Sequence, residues 1–339
     1  MRNRISRRNF INQSVKAGAI GLLAPNSIFA QMVSEPIKIG IVGLDTSHAP
    51  AFTKLFNTAS PESNLNGIKV VAAYPNGSTE IKSSYERIPE YILRVKEYGV
   101  EVVDSIQKLL SMVDVVLLET NDGRPHLEQA REIFKTGKPV FIDKPMAGTL
   151  KDVVTIFKES SEKKVPVFSS SSLRYMKGIN EIRYENKIGS VLGSDTFSPA
   201  TLEPHHPDLF WYGIHGVEIL FAVMGTGCES VTRIQTTGTD VVVGKWKDGR
   251  IGTFRGNRNT NHEYGGTVYG SLENFTLGPY EGYEELVIKI AEFFKTKISP
   301  VDPKETLEIY AFMEAADESK RNIGASVRID DVLKKAGYN

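Results

Sequence analysis

One cysteine, Cys228, stands among 339 residues. A lone thiol closes no internal disulfide and builds no cysteine-based metal centre, so Cys228 reads as a small buried apolar residue. Neither sign of charge is in excess. Lys and Arg number 41, and so do Asp and Glu; there is no basic field to draw nucleic acid and no acidic tail. Beyond the N-terminal segment no apolar run is long enough to span a bilayer. With 40% hydrophobic and 24% charged residues, the chain reads as soluble and globular, and it is long enough for two domains with their own cores. No internal repeat or low-complexity tract is visible.

Glycine is scarce where it is most expected. Residues 37–48 read Ile-Lys-Ile-Gly-Ile-Val-Gly-Leu-Asp-Thr-Ser-His. An apolar strand running into a glycine turn is how a dinucleotide-binding fold opens, with the pattern G-x-G-x-x-G. Counted from Gly43, Asp45 takes the second glycine position and His48 the third. The first glycine permits the tight turn, the second lets the backbone approach a pyrophosphate, and the third lets helix pack on strand. Only the first survives. Leu44 and Asp45 then lie in the turn, and a carboxylate near a pyrophosphate repels it unless a lysine or a helix N-terminus compensates. Thr46, Ser47 and His48 either cap the first helix or face a ligand. An acid to hold a ribose is also missing at the end of the second strand. Val70-Val71-Ala72-Ala73 runs into Tyr74-Pro75-Asn76-Gly77-Ser78, which leaves neutral Asn76 and Ser78 to bond a ribose or a 2′-phosphate.

Residues 1–30 read as a targeting segment. Arg2, Arg4, Arg7 and Arg8 precede a mildly apolar stretch from Val15 to Leu23, and Ser27-Ile28-Phe29-Ala30 offers small residues for cleavage before Gln31. Ser6-Arg7-Arg8-Asn9-Phe10 is a twin-arginine pattern, so export to the periplasm is expected. No cysteine follows the apolar stretch, and no lipid anchor is expected. The twin-arginine route carries folded proteins. A nicotinamide enzyme outside the cytoplasm has no free cofactor pool, which favours a carrier that stays bound and is restored within each turnover.

From Ile37 to Pro145 strands alternate with helices. Strands are expected at 37–42, 68–73, 100–103, 113–119 and 140–143, and helices at 49–58, 85–98, 105–112 and 124–136. This is the pattern of an α/β, doubly wound parallel sheet, whose ligands sit at the carboxyl ends of the strands. A helix at 149–163 and a strand at 165–169 follow. The segments 190–200, 230–255 and 263–283 are rich in β-formers and glycine turns and predict a mostly antiparallel open sheet. Helices at 284–295 and 303–321 complete the chain, the latter packing back on the assembly. The expected domains are 36–147 and 148–333.

Phe141-Ile142-Asp143-Lys144-Pro145 ends a strand with an acid, a lysine and a proline. A lysine at such an edge points toward the cleft, where partial desolvation suits it to proton transfer. With Asp114 to Asn121, then His126, then Gly137 to Met146, this block resembles the Gfo/Idh/MocA oxidoreductases, whose usual Glu-Lys-Pro is here Asp-Lys-Pro. Leu173-Arg174-Tyr175, Lys187 to Gly193 and Ala315 to Ser319 resemble further parts of that family.

The resemblance implies a Rossmann domain followed by an α/β domain whose open sheet forms a subunit interface, hence a homodimer or homotetramer. It implies NAD or NADP as cofactor and a sugar or polyol as substrate. Lys144 is the implied catalytic lysine and His215 the acid/base. Gly43, Leu44, Asp45, Thr46, Ser47, Asn76, Thr120, Asn121, His126, Asp143 and Lys144 are the expected cofactor-side residues. The family often places Asp four residues before the histidine; here that position is Trp211, so a supporting carboxylate is either missing or supplied by Asp208 or Glu218.

Glu203-Pro204-His205-His206-Pro207-Asp208 is the densest run of polar ligands. With His215 and Glu218 it has the donors for a divalent metal. No metal-binding spacing supports that, and a loop over a sugar pocket is preferred: His205, His206 and Asp208 bonding hydroxyls, with Trp211 or Tyr212 stacking on the ring. Arg174, Tyr175 and His262 are further pocket residues. Arg255 and Arg258 read as a solvated hairpin edge. The leading expectation is an exported NAD(P)-dependent oxidoreductase of a sugar, polyol or glycoside. The rivals are a cofactor-free or metal-dependent lyase or isomerase on the same scaffold, and a non-catalytic carbohydrate-binding protein.

Overall fold

The computed structural model describes residues 35–259 and 263–338. The targeting segment at 1–30 and His262 lie outside the described residues. Strand β1 (Ile37–Val42) is an apolar, β-branched run, and it forms the centre of a six-stranded sheet. The first half of the chain continues with α1 (His48–Asn57), β2 (Ile68–Tyr74), α2 (Lys82–Tyr85), α3 (Ile88–Glu97), β3 (Glu101–Val102), α4 (Ile106–Leu110), β4 (Val115–Leu118), α5 (His126–Phe134), β5 (Val140–Ile142), α6 (Leu150–Lys163) and β6 (Val167–Phe168). All pairings in this sheet are parallel, in the order β3-β2-β1-β4-β5-β6. Every residue of β4 and β5 is buried, as helices on both faces require.

The order reverses between β1 and β4, and that reversal opens the crevice where such sheets take ligands. The ladder there runs one residue past the strands: Glu119 N donates to Val42 O at 2.7 Å and Asp143 N to Leu118 O at 2.9 Å. Glu119 and Asp143 are therefore fixed at the lip of the switch point.

Two expectations are corrected. The helix read at 85–98 starts at Ile88 as α3, with Pro89 in its first turn, and the separate short helix α2 precedes it. The first sheet also reaches past residue 147, since β6 pairs with β5 through Val140↔Val167 and Phe141↔Phe168.

The second half contains α7 (Ile179–Tyr184), β7 (Val191–Pro199), α8 (Ile214–Met224), β8 (Cys228–Gln235), β9 (Thr239–Trp246), β10 (Ile251–Asn257), β11 (Gly265–Gly270), β12 (Asn274–Leu277), α9 (Glu284–Thr296), α10 (Pro303–Arg321), β13 (Val327–Arg328) and α11 (Ile329–Lys335). Its seven strands run β12-β11-β7-β10-β9-β8-β13, antiparallel except for β7 and β10. Helix α8 is buried along its whole length and packs on β7 and β10. The opposite face leaves Ile234, Ile251 and Tyr269 exposed. Cys228 is buried, as expected.

The halves interlock. Helix α10 starts at Pro303 with Asp302 as N-cap, its carboxylate accepting from Lys304 N at 2.8 Å. It packs on β8, α8 and α6, and its Tyr310 hydroxyl accepts the Met146 amide. Helix α9 returns to the first sheet, where Leu286, Val287, Ile290 and Phe293 join Ile39, Phe52 and Phe168 in one core. Among the described residues no helix is long and apolar enough to cross a membrane.

The approach of α8 to its sheet depends on Gly216, where an added Cβ would lie 2.2 Å from Phe254 Cε2. Gly216→Val is expected to destabilise the protein by about 1–3 kcal/mol through overpacking, measured as a lower denaturation midpoint at unchanged slope.

Candidate active site

A cleft of about 390 Å³ lies over the carboxyl ends of the first sheet. Thr46, Ser47 and His48 from the β1–α1 turn, Asn121 after β4 and Lys144 after β5 form one wall. Trp211, Tyr212 and His215 form the other, and Tyr264, Tyr280 and Tyr283 line the remaining side. Lys144 and His215 thus face a common space, as the sequence implies.

His215 opens α8 just after a π-helical turn at Leu209–Gly213. Its Nδ1 is 2.7 Å from Ser171 Oγ, which also accepts Leu173 N at 3.2 Å. The partner is therefore a hydroxyl, and of the two alternatives the supporting carboxylate is missing. Asp208 pairs with Arg233 at 3.1 Å and with Lys320 at 2.5 Å. Glu218 accepts from Ser170 Oγ at 3.1 Å and pairs with Arg174 at 3.2 Å. Burial, then the nearby Lys144 and His48, hold the His215 ring well below its usual pKa, so it enters neutral pH uncharged.

Asp45 is the most informative departure from a nucleotide turn. It is fully buried, and its carboxylate accepts Ser78 N and Asn121 N, each at 3.1 Å. Gly77 lies directly over it; a Cβ there would fall 2.1 Å from Asp45 Oδ2. The carboxylate thus takes backbone donors at the crevice and ties together the loops after β1, β2 and β4. Burial pushes its pKa up to about 6, with the amides of Asn121 and Ser78 opposing. Gly43 keeps the tight turn: its φ is +96°, and a Cβ would meet Thr120 N at 2.5 Å.

Two further acids sit deeper. Glu119 is wholly buried, and burial and then Asp143 raise its pKa well above the ordinary range. Burial also pushes Asp143 upward, but His48 and Lys144 outweigh it and hold Asp143 at about 2.

Several expected site residues serve the scaffold instead. Leu44 is core, its amide donating to Pro75 O. Asn76 is exposed and donates to Tyr74 OH at 3.1 Å, outside the cleft. His126 is buried between Thr120 O at 2.7 Å and Met146 O at 3.2 Å, so it braces the loops and does not reach the cleft. Ser47 stands at the N-cap position of α1 without a side-chain cap bond.

Arg174 is buried between Glu218 and Glu305, and Tyr175 faces a separate groove beside it. His205 is on the surface with Glu203 at 2.7 Å. His206 is buried beside Trp211 and does not line the cleft; burial lowers its pKa to about 4. Arg258 is not a solvated edge residue, since it pairs with buried Asp240.

The sequence reading missed Ser171, Arg87 and the three tyrosines. Arg87 brings a guanidinium to the cleft from the start of α3. Tyr212 OH and Tyr264 OH lie 2.9 Å apart, and Tyr280 OH is 2.8 Å from Ser172 Oγ. No local motif marks tyrosines that distant segments bring together.

Residues 37–171 match the family model described as an oxidoreductase family with an NAD-binding Rossmann fold. That match defines the class: an NAD(P)-dependent oxidoreductase built on a Rossmann sheet. Over these residues the chain is similar to the Gfo/Idh/MocA oxidoreductases. Among curated proteins no sequence matches it. Solved structures share the fold. A putative myo-inositol dehydrogenase from Sinorhizobium meliloti 1021 superposes with a TM-score of 0.71 at 15% identity, over 86% of this chain and 99% of that one. A probable dehydrogenase from Thermotoga maritima gives 0.70 at 18% identity, over 87% and 100%. Myo-inositol dehydrogenase from Lactobacillus casei, solved with NAD(H) and myo-inositol, gives 0.68 at 16%, over 86% and 96%.

Asn121, Lys144 and His215 line one cleft at the switch point, where a Rossmann sheet takes its nucleotide. The phosphate turn is altered, because Asp45 already engages two backbone donors there.

The folded pKa of Asp45 lies above its free value of 3.8. Its contribution to stability is full below pH ~4 and is lost as pH rises through about 6, amounting to roughly 3 kcal/mol. Thermal melts of wild type and Asp45→Asn between pH 4 and 8 are expected to show the wild type losing stability relative to the variant across that window.

Proposed function

We propose that this chain oxidises or reduces a sugar, polyol or glycoside at a secondary alcohol, with NAD(P) retained through the turnover. The observation that carries this reading is the pair Lys144 and His215, set on different domains and facing one aromatic-lined cleft. Removing hydride from an alcohol requires removal of its hydroxyl proton. Neutral His215 accepts that proton, with Ser171 holding the ring plane. The Lys144 ammonium stabilises the negative charge developing on the substrate oxygen. A bound nicotinamide supplies or takes the hydride. Trp211 and the tyrosines offer flat faces to sugar C–H groups and hydroxyls to their oxygens. The inositol bound by the Lactobacillus casei neighbour belongs to the same substrate class.

The twin-arginine pattern supports export to the periplasm, and a carrier restored within one turnover suits that compartment. Oxidation at one ring carbon acidifies the neighbouring C–H, so elimination or epimerisation can precede re-reduction. The exposed apolar face around Ile234 and Ile251 supports a homodimer or homotetramer in which a second copy covers the sheet.

A second reading, a redox-neutral lyase or isomerase without nucleotide, is favoured by the Asp45 carboxylate standing in the crevice. Denaturing freshly purified protein and analysing the released small molecules by mass spectrometry separates the two. Near-stoichiometric NAD(P) is expected; its absence, together with turnover that needs no nicotinamide, overturns the first reading.

His215→Ala and Lys144→Ala are each expected to lower kcat by about 10²–10⁴-fold while sugar binding, measured calorimetrically, persists. In the wild type the acid limb of kcat/KM is expected below the ordinary histidine value of ~6.5, because burial disfavours the charged ring.

A further inference from the structure

Beneath the cleft, three side chains converge from three strand ends. His48 follows β1, Glu119 follows β4 and Asp143 follows β5. One donor atom from each lies within 4.8 Å of the others, and all three residues are buried. His48 Nδ1 is 2.8 Å from Asp143 Oδ2 and 4.0 Å from Glu119 Oε2. The shorter contact is at ion-pair distance. Among the described residues both Glu119 carboxylate oxygens are left without a hydrogen-bond partner. Buried carboxylates are normally hydrogen-bonded or paired, since an uncompensated one costs several kcal/mol. A buried, unpartnered Glu119 carboxylate facing the His48–Asp143 pair is the arrangement of co-ligands.

We propose that His48, Glu119 and Asp143 hold a divalent first-row metal ion at the floor of the cleft. One imidazole nitrogen and two carboxylates are a donor set for such an ion, with remaining positions left to water or substrate. With both acids ionised and the imidazole neutral, as ligation requires, two carboxylates stand against the single ammonium of Lys144, a balance that suits a cation. The ligands are pre-set. Phe52 stacks on the His48 ring at 5.1 Å and Tyr283 meets it edge-on at 4.7 Å. The backbones of Glu119 and Asp143 are locked by the extended ladder. Because His48 also lines the cleft, the ion has an entry path. It supplies a Lewis acid for a substrate oxygen.

The competing account is a proton held by Glu119 in place of a metal. The test uses full-length mature protein, stripped with chelator and titrated with ZnCl₂ and MnCl₂ by calorimetry in the absence of nucleotide. One ion per chain is expected for the wild type. Cobalt substitution is expected to give visible d–d absorption that is absent from Glu119→Gln. Glu119→Gln, which mimics the protonated acid in shape, and His48→Phe are expected to weaken binding by about 100-fold or more. Failure of the wild type to take up either ion, or equal affinity in a folded Glu119→Gln, overturns the proposal. Should Glu119→Gln not fold, the wild-type titration and His48→Phe decide it. The measurement involves no nicotinamide, so a negative result leaves the dehydrogenase reading standing.

Discussion

Keeping carboxylates out of water at the carboxyl end of a parallel sheet is the constraint around which this protein is organised. Asp45, Glu119 and Asp143 all lie there, each at zero exposure. The chain treats them differently. Asp45 receives two amides, as an anion would at a helix N-terminus. Asp143 is offset by the charges of Lys144 and His48. Among the described residues no group donates a hydrogen bond to the Glu119 carboxylate. Because the three emerge from β1, β4 and β5, any change in one shifts the electrostatics around Lys144 and, through it, around His215.

The cleft takes its chemical character from the meeting of unlike elements. The first sheet contributes ionisable groups at strand ends, where backbone geometry is stiff. The second domain contributes His215 on a fully buried helix and a wall of aromatic side chains. A rigid base and a rigid ammonium, held by separate cores, meet the demand that reacting groups be pre-positioned rather than recruited.

Much of this was legible in the sequence, and the unread remainder has physical causes. Apolar runs between glycine and proline signals gave β1 with its observed bounds and most other elements to within a few residues. Lys144 and His215 stood out by motif, and both line the cleft. Asp45 was visible as an oddity, but its partners lie 33 and 76 residues away, and no local pattern encodes such a bond. The run from Glu203 to Asp208 looked like one site because its polar residues are adjacent in the chain. In the fold His205 turns to solvent, His206 turns inward, and Asp208 is claimed by Arg233, a buried cation that also requires Asp240 and Asp317. Glu119 read as the end of an apolar strand, and only the convergence of three strand ends gives it significance.

The bond between Tyr310 and the Met146 amide has a mechanical consequence. The segment bearing the lysine is leashed to the long helix of the other domain, next to the point where the two halves join. Wide hinge opening would tear that leash and expose a buried amide. Traffic into the site therefore runs through the existing mouth, past Arg87 and the aromatic side chains.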